Sequence, residues 1–273
     1  MTCYLPPFVD AKWCEDRRGQ IVLADVRWYL DGASGRSVYD AGHIPGAVFV
    51  DLDRWLSAGP SQVAGRNPLP SPEVFAEGMR GAGISDADIV VAYDDAGGVI
   101  AARLVWMLRS TGHQAAVLNG GLAAYPGGLE TDEPARDQGR FTARPWPTQR
   151  LASIQETLPG QGNTVVDARN RDRYEGRQDP VDPRPGHIPH ALSLPCRENL
   201  DPSGKLLDKE LLHRKVADAG IISAEDIISY CGSGVTACHN LLVLEHLGLG
   251  QGRLFVGGWS QYGHASHLPV ETA

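Results

Sequence analysis

Short apolar runs bounded by glycine, proline and acidic residues recur along the chain. IVLADV (21–26), DIVVAY (88–93), TVVDA (164–168) and DIISY (226–230) show no alternation of polar and apolar positions, the pattern of strands covered on both faces. Between them lie segments with apolar residues at helical spacing. SPEVFAEGMRGAG (71–83) opens on an N-cap serine and a proline and closes on glycines, VIAARLVWMLRSTGH (99–113) ends at a glycine, and TACHNLLVLEHLG (236–248) follows the strand at 226–230. Strand and helix in alternation predict an α/β fold with a mostly parallel sheet flanked by helices.

The pattern is written twice. VLADVRWYL, YDAGHIPGAVFVDL, the long strand-to-helix block ending at His113 and AVLNGGLAAY recur in the same order. Their counterparts are VVDARNRDRY, RPGHIPHALSLP, the block ending LEHLGL and RLFVGGWSQY. Between the copies, residues 127–150 are rich in proline, glycine and charge and show neither helical nor strand periodicity, which reads as a linker. The expected organisation is therefore two α/β domains, 1–126 and 151–273, in tandem.

Composition narrows the function. In 273 residues, 42% are hydrophobic and 21% charged, as in ordinary globular proteins, and the length suffices for two buried cores. A formal net charge of −8 argues against a general nucleic-acid binder, whose affinity rests on cationic surface. No apolar run approaches the roughly 20 residues of a membrane span, and the first residues lack the charged start and apolar centre of a signal peptide, so a cytoplasmic protein is expected. Five cysteines (Cys3, Cys14, Cys196, Cys231, Cys238) include no CxxC pair, which predicts neither a disulfide framework nor a zinc site. No nucleotide-binding glycine fingerprint is present, and no metal or organic cofactor is expected.

The chemistry concentrates in CGSGV (231–235), between the strand ending at Tyr230 and the helix beginning near Thr236. In parallel sheets, sites form where a strand's C-terminal end meets the next helix. Gly232 and Gly234 allow the backbone to curl so that successive N–H groups face one point, and the helix start adds positive potential there. Such a bowl favours an anionic sulfur at Cys231. The sister loop YDDAGGVIAA keeps the strand, a glycine pair and the helix start but carries Asp94 in place of the cysteine, so packing alone does not demand a thiol.

The tandem copies, the two GHIP segments (42–45 and 186–189), the pairs Asp25/Arg27 and Asp167/Arg169, and CGSGVTA (231–237) together resemble the rhodanese family, more narrowly its two-domain thiosulfate and 3-mercaptopyruvate sulfurtransferases. The resemblance covers nearly the whole chain outside 127–150 and implies a catalytically silent first copy, in keeping with Asp94. It implies a sulfurtransferase in which Cys231 takes a sulfur atom as a persulfide and passes it to cyanide or a thiol, with a thioredoxin-like protein as a possible partner. A CGSGVT loop is associated in the family with 3-mercaptopyruvate. The amides of Gly232, Gly234 and Val235 would hold the persulfide, and the Ser233 and Thr236 hydroxyls would donate to it or relay a proton to departing pyruvate.

The resemblance further places Arg173, in RNRDRYEG, as a substrate-binding arginine, since a planar guanidinium suits a carboxylate. For a second arginine, Arg177 and Arg184 are the candidates. His43 and His187, at matching places in the copies, read as structural, as does Cys238 one turn into its helix. Two other functions compete. A cysteine phosphatase would need an arginine at the far end of the loop, where this chain has VTA. A sulfur carrier or binding module that no longer turns over is the other, and the intact Cys231 loop argues against it for the whole chain.

Overall fold

The structure is a computed structural model that describes residues 5–177 and 179–272; Cys3 lies outside the described residues. The chain divides into two compact units. The first comprises Met1–Ala58, Pro70–Trp146 and Leu200–Leu206, the second Gly59–Leu69, Pro147–Asn199 and Leu207–Ala273. Each unit thus contains a short segment encoded in the other half of the sequence. Among the described residues, no helix is long and apolar enough to cross a membrane.

In the first unit, five parallel strands, β1 (Phe8–Val9), β2 (Ile21–Asp25), β3 (Val48–Phe49), β4 (Ile89–Tyr93) and β5 (Ala115–Leu118), form a sheet in the order β1-β5-β4-β2-β3. The central strands are covered on both faces, as their unbroken apolar runs predict. The helix Pro72–Gly81 begins where the sequence signals it, with the Ser71 side chain accepting the Val74 N–H at 3.3 Å and proline in the first turn. The helix Ala102–Ser110 is buried along almost its whole length.

The second unit repeats the plan. Its strands β6 (Thr164–Asp167), β7 (Leu192–Ser193), β8 (Ile227–Tyr230) and β9 (Arg253–Leu254) run parallel in the order β7-β6-β8-β9. A parallel bridge from Leu151 to Leu254 stands where β1 stands in the first sheet. Helices Lys209–Asp218, Ala237–His246 and Gly258–Tyr262 flank the sheet.

The GHIP segments have matching structural roles. His43 stacks on Tyr39 at 3.8 Å and bonds its carbonyl through Nδ1 at 2.9 Å, and His187 does the same with Tyr174 at 3.7 and 2.7 Å. Each histidine also exchanges two backbone hydrogen bonds with a later segment, His43 with Glu130 and His187 with Glu271. Glu130 falls in the stretch that the sequence marks as a linker. That stretch packs on the first unit as far as Trp146: Phe141 is buried edge-on against Phe75 at 5.7 Å, and Trp146 Nε1 donates to the Pro70 carbonyl at 2.7 Å. It is irregular in backbone rather than free, so hydropathy period could not reveal its attachment.

Candidate active site

The strand-to-helix turn takes its simplest form in the copy that lacks the cysteine. Asp94 follows β4 and is fully buried. Its carboxylate accepts four backbone hydrogen bonds, from Ala96 at 2.8, Gly98 at 2.7, Ile100 at 2.7 and Ala101 at 2.8 Å. Burial raises the Asp94 pKa and these four donors oppose that shift. The strand-to-helix turn of this fold therefore aims its amides at the side chain of its first residue.

In the second unit Cys231 occupies that first position, after β8, as a free thiol that is 3% exposed. The loop carbonyls are tied away from the bowl. Trp259 N–H donates to the Cys231 carbonyl at 2.7 Å and Ser260 N–H to the Gly232 carbonyl at 2.8 Å, both from the start of the helix Gly258–Tyr262. Gly234 has φ +74°, and a Cβ there would lie 2.4 Å from the Val256 carbonyl oxygen, so only glycine fits the turn. Val235 and Ser233 are buried beside the thiol in sequence, at 2% and 6% exposure.

Thr236 shares a hydrogen bond with the Cys196 thiol rather than standing free. Burial first, and then the nearby Cys231 sulfur, push Cys196 up to about 12, so it remains a protonated neighbour. Cys238 donates to the Gly234 carbonyl at 3.4 Å and is fully buried, a structural residue. Under the helix Ala237–His246 lies a polar cluster: Asn199 donates to Asn240 at 2.8 Å, Asn240 to the Leu194 carbonyl at 2.7 Å, and Lys215 to Asn199 at 2.9 Å.

The loop is braced by the paired aspartate and arginine. Arg169 Nη2 donates to Asp167 at 2.6 Å and to the Gly186 carbonyl at 2.7 Å, and its guanidinium lies 4.7 Å from the Trp259 ring centroid. Arg27 repeats the pair with Asp25 at 2.6 Å and with the Gly42 carbonyl at 2.7 Å. The tyrosines that end the two central strands also match, Tyr93 and Tyr230 each accepting a GHIP amide through the hydroxyl, at 3.1 and 3.2 Å.

Arg173 stands over the loop: a Cβ at Gly232 would meet its Nη1 at 3.3 Å and its Nη2 at 3.4 Å. Asp179, at 3.2 Å, and Asp182 hold the guanidinium from behind. Arg177 does not join it. Its side chain is 62% exposed and is engaged by Asp172 and Glu175, so the structure does not bring this expected substrate-binding residue to the loop. Arg184 is spent on the carbonyls of Gly263, Leu268, Tyr262 and Ala265 at 2.9–3.1 Å and serves structure. A residue that sequence reasoning missed is Arg66, whose Nη2 would lie 3.0 Å from a Gly232 Cβ. It comes from the segment Gly59–Leu69, which has no periodicity and sits more than 160 positions before the loop.

The profile of the rhodanese-like domain matches residues 10–126 and 150–265. The chain belongs to the rhodanese family. It is 37% identical to a Pseudomonas aeruginosa protein named "Probable 3-mercaptopyruvate sulfurtransferase", over 92% of each chain. It is 30% identical to an Arabidopsis thaliana thiosulfate/3-mercaptopyruvate sulfurtransferase, covering 97% of this chain and 86% of the relative. The solved 3-mercaptopyruvate sulfurtransferase from Leishmania major superposes with a TM-score of 0.87 at 31% identity, over 97% of this chain and 76% of that one. The rhodanese relatives are sulfurtransferases, enzymes that work on small sulfur donors and acceptors, and this chain is an enzyme of that kind.

Proposed function

We propose that this rhodanese-family chain moves the sulfur of 3-mercaptopyruvate through a persulfide on Cys231 to a thiol or cyanide. The observation that carries this reading is the amide bowl. Where the first copy holds a carboxylate on four N–H groups, the second presents a thiol, so an anion on that sulfur is stabilised by fixed dipoles.

The Cys231 thiolate attacks the donor sulfur, forming the S–S bond as the donor's C–S bond breaks. The electron pair of the C–S bond leaves on carbon as pyruvate enolate, and the donor's thiol proton ends on that carbon, giving pyruvate and a persulfide anion. The amides of Gly232, Gly234 and Val235 receive the added charge. The Ser233 and Thr236 hydroxyls lie on the loop to relay the proton. Arg173 binds the donor's carboxylate, leaving the reacting sulfur directed to Cys231. In the second half, an acceptor thiolate attacks the outer sulfur and Cys231 leaves as thiolate. The acceptor we favour is a thioredoxin-like protein, since its exposed thiolate can reach a loop whose own sulfur is nearly buried. Buried free thiols at Cys14, Cys196, Cys231 and Cys238 suit a reducing, cytoplasmic setting.

Intact-mass measurement of the reduced protein after exposure to 3-mercaptopyruvate or, separately, thiosulfate tests the proposal. A gain of one sulfur atom, removed by cyanide and absent from Cys231→Ser, is expected. No gain with either donor would overturn it. Faster pyruvate release with reduced thioredoxin than with an equal concentration of dithiothreitol checks the acceptor.

A further inference from the structure

The polar cluster under the helix Ala237–His246 ends at a lysine that reaches the surface of the second unit. Lys215 stands on the helix Lys209–Asp218, and its side chain is 19% exposed. It lines a cleft of about 560 Å³ beside the edge strand β7, with Arg171, Ser193 and Arg214 among its neighbours there. The amine is therefore shielded from bulk water on one side and open to a small molecule on the other.

The hydrogen bonds of Lys215 fit a neutral amine. Nζ donates to Asn199 Oδ1 at 2.9 Å and to the Pro195 carbonyl at 3.4 Å. These two acceptors use the two N–H groups of an uncharged amine and leave its lone pair unspent. Glu198, a carboxylate that could hold the ammonium form, lies 3.9 Å away and is itself held by Arg171, whose Nε and Nη2 donate to its two oxygens at 2.7 and 2.8 Å. Burial lowers the Lys215 pKa to about 8; Glu198 and then Cys196 oppose that shift, and Arg171 adds to it. His239 on the helix Ala237–His246 also feels Lys215, and burial first of all lowers its pKa to about 3, so it carries no charge where the lysine titrates. At pH 8 about half of Lys215 is free amine, against roughly 0.4% of an ordinary lysine.

The surroundings select the electrophile. Arg171 and the exposed Arg214 bring positive charge to the cleft, against Asp218 at its border, and Leu194, Leu207 and Leu211 give it an apolar wall. Ser193 adds a hydroxyl that has no partner among the described residues. Guanidiniums hold a phosphate well, and a desolvated lysine is a nucleophile. We propose that Lys215 is an acylation site that takes the acyl group of small acyl phosphates. The Nζ lone pair attacks the acyl carbon and forms a C–N bond. The C–O bond to phosphate breaks, its electron pair leaves on inorganic phosphate, and one amine proton passes to solvent. The amide that results is uncharged and keeps one N–H, so either Asn199 or the Pro195 carbonyl loses its donor. The site does not depend on sulfur transfer at Cys231.

Acetyl phosphate is the probe, followed by peptide mass mapping of the full chain, which separates Lys215 from Lys12, Lys205, Lys209 and the α-amino group. At about pH 8, Lys215 is expected to acetylate roughly fivefold or more faster than each of the other three lysines, and a rate no higher than theirs overturns the proposal. N-acetoxysuccinimide, an uncharged acetyl donor, reads the amine alone. With it, the Lys215 rate is expected to pass half-maximum near about pH 8 and then level off, because the neutral amine is the reacting form, while the Lys12 rate still climbs above about pH 9. A Lys215 rate that still rises about tenfold per pH unit at about pH 9 overturns the proposal. Arg214→Gln changes an exposed side chain of the cleft. It is expected to lower the acetyl phosphate rate at Lys215 about threefold or more and to leave the N-acetoxysuccinimide rate within about twofold. An unchanged ratio between the two donors overturns acyl phosphates as the class that the site takes.

Discussion

Gly232 and Gly234 sit two residues apart in the Cys231 loop and are glycine for different reasons. A Cβ at Gly234 would strike the Val256 backbone oxygen at 2.4 Å, and its φ of +74° strains any L side chain. Gly234→Ala is expected to destabilise the protein by about 2 kcal/mol or more and to abolish persulfide loading, measured by denaturant unfolding and intact mass. A Cβ at Gly232 would meet only the ends of two arginine side chains, at 3.0–3.4 Å. Gly232→Ala should keep stability within about 1 kcal/mol of wild type while raising the KM for 3-mercaptopyruvate, because Arg173, the proposed donor-binding arginine, must move. Arg173→Ala removes one fork outright and is expected to raise KM roughly 10- to 100-fold with a smaller change in kcat, read from steady-state pyruvate release.

At the scale of elements, the helix Ala237–His246 that follows the loop rests on polar groups rather than on an all-apolar core. His239 within it is fully buried, and burial, with Lys215 and Arg197 nearby, lowers its pKa to about 3. A histidine with a depressed folded pKa binds fewer protons folded than unfolded between that value and its ordinary range near 6.5, so stability falls as pH drops through that window. Denaturant midpoints followed from pH 6.5 to 4 should decline, and His239→Gln should decline less steeply. The elements also show what a sequence makes visible. The four unbroken apolar runs became β2, β4, β6 and β8, and the repeat, the GHIP turns and the loop could be read directly because each is a local pattern. The two-residue strands β1, β3, β7 and β9 carry too few positions to establish a period. Arg66 was hidden because its placement depends on tertiary clips to Ser260 and Gly257, and the pairing of Arg177 with Asp172 and Glu175 could not be read from its candidacy as a second arginine.

On the scale of the whole molecule, the duplication is not a simple junction of two sequence halves. Gly59–Leu69 belongs to the unit built mainly from the second half, and Leu200–Leu206 to the unit built mainly from the first. Leu206 N–H donates to Asn119 at 2.8 Å, as Arg66 does to Ser260 at 2.9 Å. A chain divided between residues 146 and 147 is therefore expected to yield halves that lack native near-ultraviolet circular dichroism alone and regain it, with persulfide loading, when mixed. The copy that carries Asp94 adds a last consequence. Its turn still gathers four amides onto one point, and Asp94 satisfies them with its own oxygens. The demand belongs to the turn itself, whether or not a thiol stands at its first position. An apolar side chain at position 94 would leave those buried amides without an acceptor, so the aspartate brings to this turn the negative charge that a thiolate would bring to the other.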